Sequence, residues 1–154
     1  MSDMRQPDIN DPGLVLRSVD AFASKRTEVA AHFYGRLFGR HPHLEAYFKG
    51  HDNIWRERMF ATALRSMMMA ATSPISFQRE TSQLAERHRA HQIQPEDFAL
   101  FTDVLLETLA YYAGAKWTPD IASAWRHVAT LTADALAAGV TPEAGETPEE
   151  APAA

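Results

Sequence analysis

Leu84-Ala85-Glu86-Arg87-His88-Arg89-Ala90-His91-Gln92-Ile93-Gln94-Pro95-Glu96-Asp97-Phe98 is the junction from which the chain is best read. One helix ends just past His88. Gln94-Pro95-Glu96-Asp97 opens another at Pro95, with proline at the first helical position and two acids in the first turn, where the helix dipole favours them. Leu84 and His88 are four residues apart and share one helical face, which puts the Leu84 carbonyl within reach of the imidazole N–H. Such a bond fixes the tautomer and leaves the other ring nitrogen free for a cofactor metal. A helical histidine taken alone is more commonly a surface or satisfied core residue, so the other helices must supply the reason to read it as a ligand.

Outward from that junction, the apolar spacing is helical throughout. Asp11-Pro12 starts a first helix, carrying Leu14, Val15, Val19 and Phe22, that runs to about Ala23. Ser24 can cap a second, in which Val29, Ala30, Phe33, Tyr34, Leu37 and Phe38 form the strongest stripe in the sequence. His41-Pro42 breaks it, since the residue before proline avoids helical angles, and a short helical turn follows to Phe48. From Asp52 or Asn53 a long helix turns Ile54, Trp55, Met59, Phe60, Ala63, Leu64, Met67 and Met68 inward until Thr72-Ser73-Pro74. Phe77, Leu84 and His88 mark the helix after that proline. Phe98, Phe101, Val104, Leu105, Leu109 and Tyr112 mark the next, to Gly114. Thr118-Pro119-Asp120 opens the last, with Ile121, Trp125, Val128, Leu131, Ala135 and Leu136 inward and Gly139 as its stop. No segment sustains a period of two, and no hairpin signal occurs. The fold class is therefore all-α, and about seven helices with proline-marked corners suit steep pairwise packing better than a bundle of four equal rods.

Composition sets the limits. The chain has 154 residues, 45% of them apolar, so one domain over residues 11–139 is expected, with no room for a second catalytic one. It has no cysteine, which excludes disulfides, a thiol nucleophile and thiolate ligation, and leaves histidine, carboxylate, tyrosine or methionine to hold any metal. The net charge is −5, and four glutamates fall in Val140–Ala154 without a basic residue, so the body is nearly neutral. That argues against nucleic acid as a partner. Residues 140–154, rich in Pro, Glu, Ala and Thr, are expected to be a disordered acidic tail, and residues 1–10 a flexible N-terminus. No membrane span or signal peptide is evident, so a cytoplasmic protein is expected.

Several chemistries lack their motifs. There is no His-Glu-x-x-His, no Glu followed three residues later by His, no Gly-rich phosphate loop, no dinucleotide fingerprint and no Gly-x-Ser-x-Gly elbow.

The segments His32-Phe33-Tyr34-Gly35-Arg36-Leu37-Phe38, Pro42 to Phe48, Leu84 to His88, Gln94 to Phe98 and Ala124-Trp125 occur in order between about Leu14 and Ala138. Together they resemble the bacterial globin pattern, shared by single-domain haemoglobins and the haem domains of flavohaemoglobins. The resemblance implies a globin fold around a haem pocket, haem b as cofactor, and oxygen, NO or CO as the diatomic ligand. By position, His88 matches the proximal ligand to iron, Tyr34 the distal tyrosine and Phe48 the phenylalanine packed on the porphyrin, while Leu84, Ile93 and Phe98 would wall the proximal side. A phenol O–H aimed from an apolar pocket would stabilise a gas ligand that has gained negative charge. The competing reading of Tyr34 is a core tyrosine whose hydroxyl is used elsewhere.

Two departures from the pattern stand out. The distal place usually held by glutamine or histidine falls, counted from Phe48, on Trp55, with Met59 one turn on as an apolar wall. Trp55 either offers its indole N–H to the ligand, blocks the access route, turns outward or packs over the haem edge. Phe98 stands where flavohaemoglobins place a tyrosine that makes the proximal histidine more electron-donating, so the push that favours O–O chemistry is weakened. The chain also stops where a flavin reductase domain would begin. Arg87, Arg89, His91, Lys49 and His51 either face haem propionates or lie at a solvated surface, and His41 and His43 are expected at the surface. The expected function is reversible binding of oxygen or another diatomic gas. The alternatives are NO dioxygenation with a separate reductase, and a haem-based sensor or haem-free globin-fold interaction module.

Overall fold

Local signals start most of the helices. In the computed structural model, which describes residues 11–141, Asp11 accepts from the Gly13 N–H and precedes Pro12 at the head of α1, Pro12–Ser18. α2, Asp20–Ala23, and α3, Arg26–Arg40, follow. A 3-10 segment, Pro42–Phe48, turns the corner after His41. Asp52 caps α4, Asn53–Thr72, by accepting from the Trp55 N–H at 2.8 Å. Pro74 heads α5, Pro74–Ala90, and α6 is Asp97–Ala113. After a 3-10 turn at Gly114–Lys116, the Thr118 hydroxyl caps α7, Pro119–Val140. Among the described residues there is no strand, so the all-α class holds.

The departures from expectation are tertiary or conformational in origin. The first helix is two pieces, interrupted at Val19 although that residue keeps helical angles. Ser24 does not cap α3, because it too has helical angles and closes α2; Lys25 occupies the cap position without a side-chain bond. α6 starts at Asp97 rather than Pro95, since Pro95 and Glu96 form a turn closed by the Asp97 N–H on the Gln94 carbonyl. Gly139 does not stop α7. It lies inside the helix, where a Cβ would collide with the Cβ of Ala85 on α5, so it is there to let two helices approach. Ile54 and Leu131, expected inward, are exposed. The expectations for residues 1–10 and for the tail from 142 onward lie outside the described residues.

α7 is the helix on which the others are stacked, against α1, α4, α5 and α6. Trp125 at its middle is fully buried and donates its indole N–H to Ser18 at 2.7 Å, and Ser18 donates onward to the Val15 carbonyl. Phe33, Leu37, Leu105 and Leu109 are likewise fully buried; each such side chain stabilises the fold by about 1.5–3 kcal/mol relative to exposure. The buried apolar residues nonetheless form two separate clusters. The larger joins α1 to α4, α6 and α7 and includes Tyr34 and Phe48. The smaller holds Leu84, Ala85, Phe98, Ala133, Leu136 and Val140, with Ile93 packed on it.

Candidate functional site

His88 lies beside the smaller cluster, against its members Leu84 and Phe98. In the last turn of α5, the His88 ring donates its Nδ1–H to the Leu84 carbonyl at 2.6 Å, a pairing that requires this tautomer because a carbonyl can only accept. Nε2 makes no hydrogen bond among the described residues. Burial pushes the imidazole pKa down, partly opposed by the Leu84 bond, so the ring is neutral at physiological pH. Phe98 meets it edge-on with centroids 5.3 Å apart.

The turn that follows fixes this arrangement. Gln92 adopts φ +60°, its N–H bonds the Arg89 carbonyl, and the Ile93 N–H returns to the His88 carbonyl at 3.2 Å. This is a Schellman closure with glutamine in the left-handed place usually taken by glycine. It brings Ile93 back onto the cluster that holds Leu84.

A separate aromatic wall is built from α3, the 3-10 segment and α4. Tyr34 packs on Phe48 at 5.3 Å, and Phe48 on Trp55 at 5.8 Å. Trp55 is half-buried and stacked on His51, with centroids 3.6 Å apart and 15° between the planes. This places it half-exposed at the edge of the wall, with no hydrogen bond from its indole among the described residues. Met59 is half-buried beside the same cluster. The Tyr34 hydroxyl donates to the backbone carbonyl of Arg56 at 2.7 Å, and burial pushes its pKa up, with the Arg56 guanidinium pulling partly the other way.

Two residues on these walls escaped the reading of the sequence. Arg56, one position past Trp55, is the α4 residue that holds Tyr34. Asp97 is buried and accepts from the Tyr47 hydroxyl at 2.8 Å, with His43 Nε2 at 3.2 Å. It ties the 3-10 segment carrying Phe48 to the start of α6 carrying Phe98; His43 is exposed, as expected, and contacts Asp97 from the surface. Neither had a local signal: a charged residue in an amphipathic helix or a first turn reads as solvated. Other expected positions are accounted for otherwise. Arg89 donates to the Gly139 carbonyl near the end of α7, and Arg87 and His91 are exposed.

Two concavities lie elsewhere. One, of about 180 Å³, is lined by Val19, Phe22, Arg26, Phe60 and Met68. The other, of about 740 Å³, lies between α6 and α7 around Trp117, Glu107, Arg126 and His127. Neither contains His88, Tyr34 or Phe48. No three histidines and carboxylates gather to hold a metal among the described residues, and no helix there is long and apolar enough to cross a membrane.

Unequal helices with a half-buried imidazole at the end of α5 and an aromatic wall built from α3 and α4 are the arrangement of one class of protein, the globins. The chain belongs to the globin family, whose members bind gases through haem; the family model described as globin matches residues 31–136. It is similar to the flavohemoproteins of Halalkalibacterium halodurans (28% identical over 128 residues, 79% of this chain and 30% of that one) and Rhizobium meliloti (28% over 139 residues, 89% and 34%). That of Bacillus subtilis is 29% identical over 112 residues, 70% of this chain and 28% of its own length. The chain thus spans about a third of the length of these curated relatives.

Proposed function

We propose that the chain holds haem b through His88 and binds a diatomic gas reversibly on the Tyr34 side. The observation that carries this reading is the divided core. The buried apolar residues beside His88 and those around Tyr34 and Phe48 belong to separate clusters, an arrangement that suits a flat apolar group between them. The donor chemistry fits. His88 is a neutral base with Nδ1 committed and Nε2 free, the state in which imidazole ligates a metal. A metal held by side chains alone needs about three or four donors; a single imidazole matches a metal already held in a macrocycle. Haem, when bound, supplies an iron with one position open to O2, NO or CO.

The chain's own residues do the rest. His88 is the ligand, oriented by Leu84 and the Ile93 turn. Phe48, Leu84, Ile93 and Phe98 wall the cofactor and exclude water. Tyr34, Trp55 and Met59 shape the gas side, with Tyr34 available as a donor once its hydroxyl turns from the Arg56 carbonyl. Phe98 has no polar atom to offer His88, which favours a binder over oxygen-activating chemistry. The flavohemoprotein relatives keep a second reading open, NO dioxygenation with electrons from a separate reductase.

Purified protein titrated with haemin should develop a sharp Soret band that shifts with CO after reduction, and both should be lost in His88→Ala. An unchanged spectrum in that variant sinks His88 as the ligand, and no Soret band in wild type returns the fold to a haem-free module. Nitrate formation from NO under oxygen with a supplied reductase separates the two haem readings: turnover no faster than free haem leaves the carrier.

A further inference from the structure

This inference rests on the haem reading and concerns which ligands the distal side accepts. Arg56 starts from the pocket wall, since its own carbonyl takes the Tyr34 hydroxyl at 2.7 Å. Its guanidinium lies over the face of Phe38, 5.3 Å from the ring centroid, and Phe38 packs on both Tyr34 and Phe48 at 5.7 and 5.3 Å. A positive group therefore sits on the aromatic wall, and a guanidinium stays charged at any pH the protein meets.

That charge has no carboxylate counter-ion among the described residues. The Arg56 Nε–H is buried and donates to no acceptor among the described residues. Among the described residues no carboxylate pairs with Arg56, whereas Arg36, Arg40, Arg65 and Arg126 each have one. A buried donor of an ion without an acceptor is costly, and an acceptor brought by a ligand recovers that cost. Tyr34 cannot neutralise it, because its single proton is committed to the Arg56 carbonyl and its oxygen carries no charge.

We propose that Arg56 makes the distal side of this pocket an anion site, favouring small charged ligands of the class of azide, cyanide or nitrite. Phe38 and the half-buried position of Arg56 keep water partly away from that charge, which weakens its screening.

The test uses the full chain loaded with haemin: the oxidised form titrated with azide, the reduced form with CO, in wild type, Arg56→Gln and Arg56→Lys. Arg56→Gln should weaken azide binding about 10- to 100-fold, the worth of a hydrogen bond to a charged group. Arg56→Lys should restore much of it, and affinity for CO, a neutral ligand, should stay near wild type. Unchanged azide affinity in Arg56→Gln with an intact Soret band overturns the anion site and leaves the haem reading standing. A fall in haemin affinity with azide unchanged assigns Arg56 to a propionate instead and also overturns it. No Soret band in wild type removes the haem reading and this inference together.

Discussion

At the scale of the residue, the distal wall holds a proton whose loss is penalised by burial. The Tyr34 phenol has its pKa raised above the ordinary 10 because the ionised form would be desolvated. The unfolded chain releases that proton near the ordinary value, so the stability held in the neutral phenol is complete below about pH 10 and is lost as pH rises toward the folded-state value. The thermal midpoint of wild type should therefore fall more steeply than that of Tyr34→Phe as pH rises from about 10 to about 12. Tyr47 and Tyr112, also raised, titrate in both proteins and cancel in the comparison; parallel curves would show Tyr34 to be freely solvated. The same scale explains what the sequence hid. His88 and Leu84 could be paired from a spacing of four, whereas Arg56 and Asp97 owe their roles to partners 22 and 50 positions or more away.

At the scale of the element, one substitution has opposite signs in two helices. Gly39 on α3 has open space where a Cβ would go, so Gly39→Ala should stabilise by about 0.5–1 kcal/mol through helix propensity alone. Gly139→Ala on α7 drives a methyl into Ala85, a short side chain that cannot swing aside. The overpacking cost of about 1–3 kcal/mol should outweigh the propensity gain, and Ala85→Gly should relieve it. Urea unfolding of the two single variants and the Ala85→Gly/Gly139→Ala pair measures this, and a stabilised Gly139→Ala would show that α5 and α7 are not so close. Prolines and caps made most helix starts legible because their physics is confined to a few neighbours. Gly139 misled because a glycine that lets helices meet has the same letter as one that ends a helix. The Gln92 turn had no glycine to announce it.

At the scale of the whole molecule, two apolar clusters share one chain. If haem joins them, loading should stabilise the end bearing α5 more than the crossing of α3 and α6. Haemin at a hundredfold excess over its dissociation constant contributes about 2.7 kcal/mol. Hydrogen exchange should show new protection concentrated at residues 84–93 and little change around Phe33 and Leu105; uniform protection would mean that the clusters already behave as one core.

Asp97 gives the pocket a time scale. One buried carboxylate fastens Tyr47 and His43 to the head of α6, so the short segment bearing Phe48 leaves its place only when both attachments break together. On the haem reading proposed above, the residence time of the prosthetic group would be set by the frequency of that release as well as by the strength of its bond to His88. In Asp97→Ala, haem should pass to an apoprotein acceptor several times faster while the spectrum of the loaded protein stays that of wild type. Transfer at the wild-type rate would show that cofactor escape does not pass through this segment.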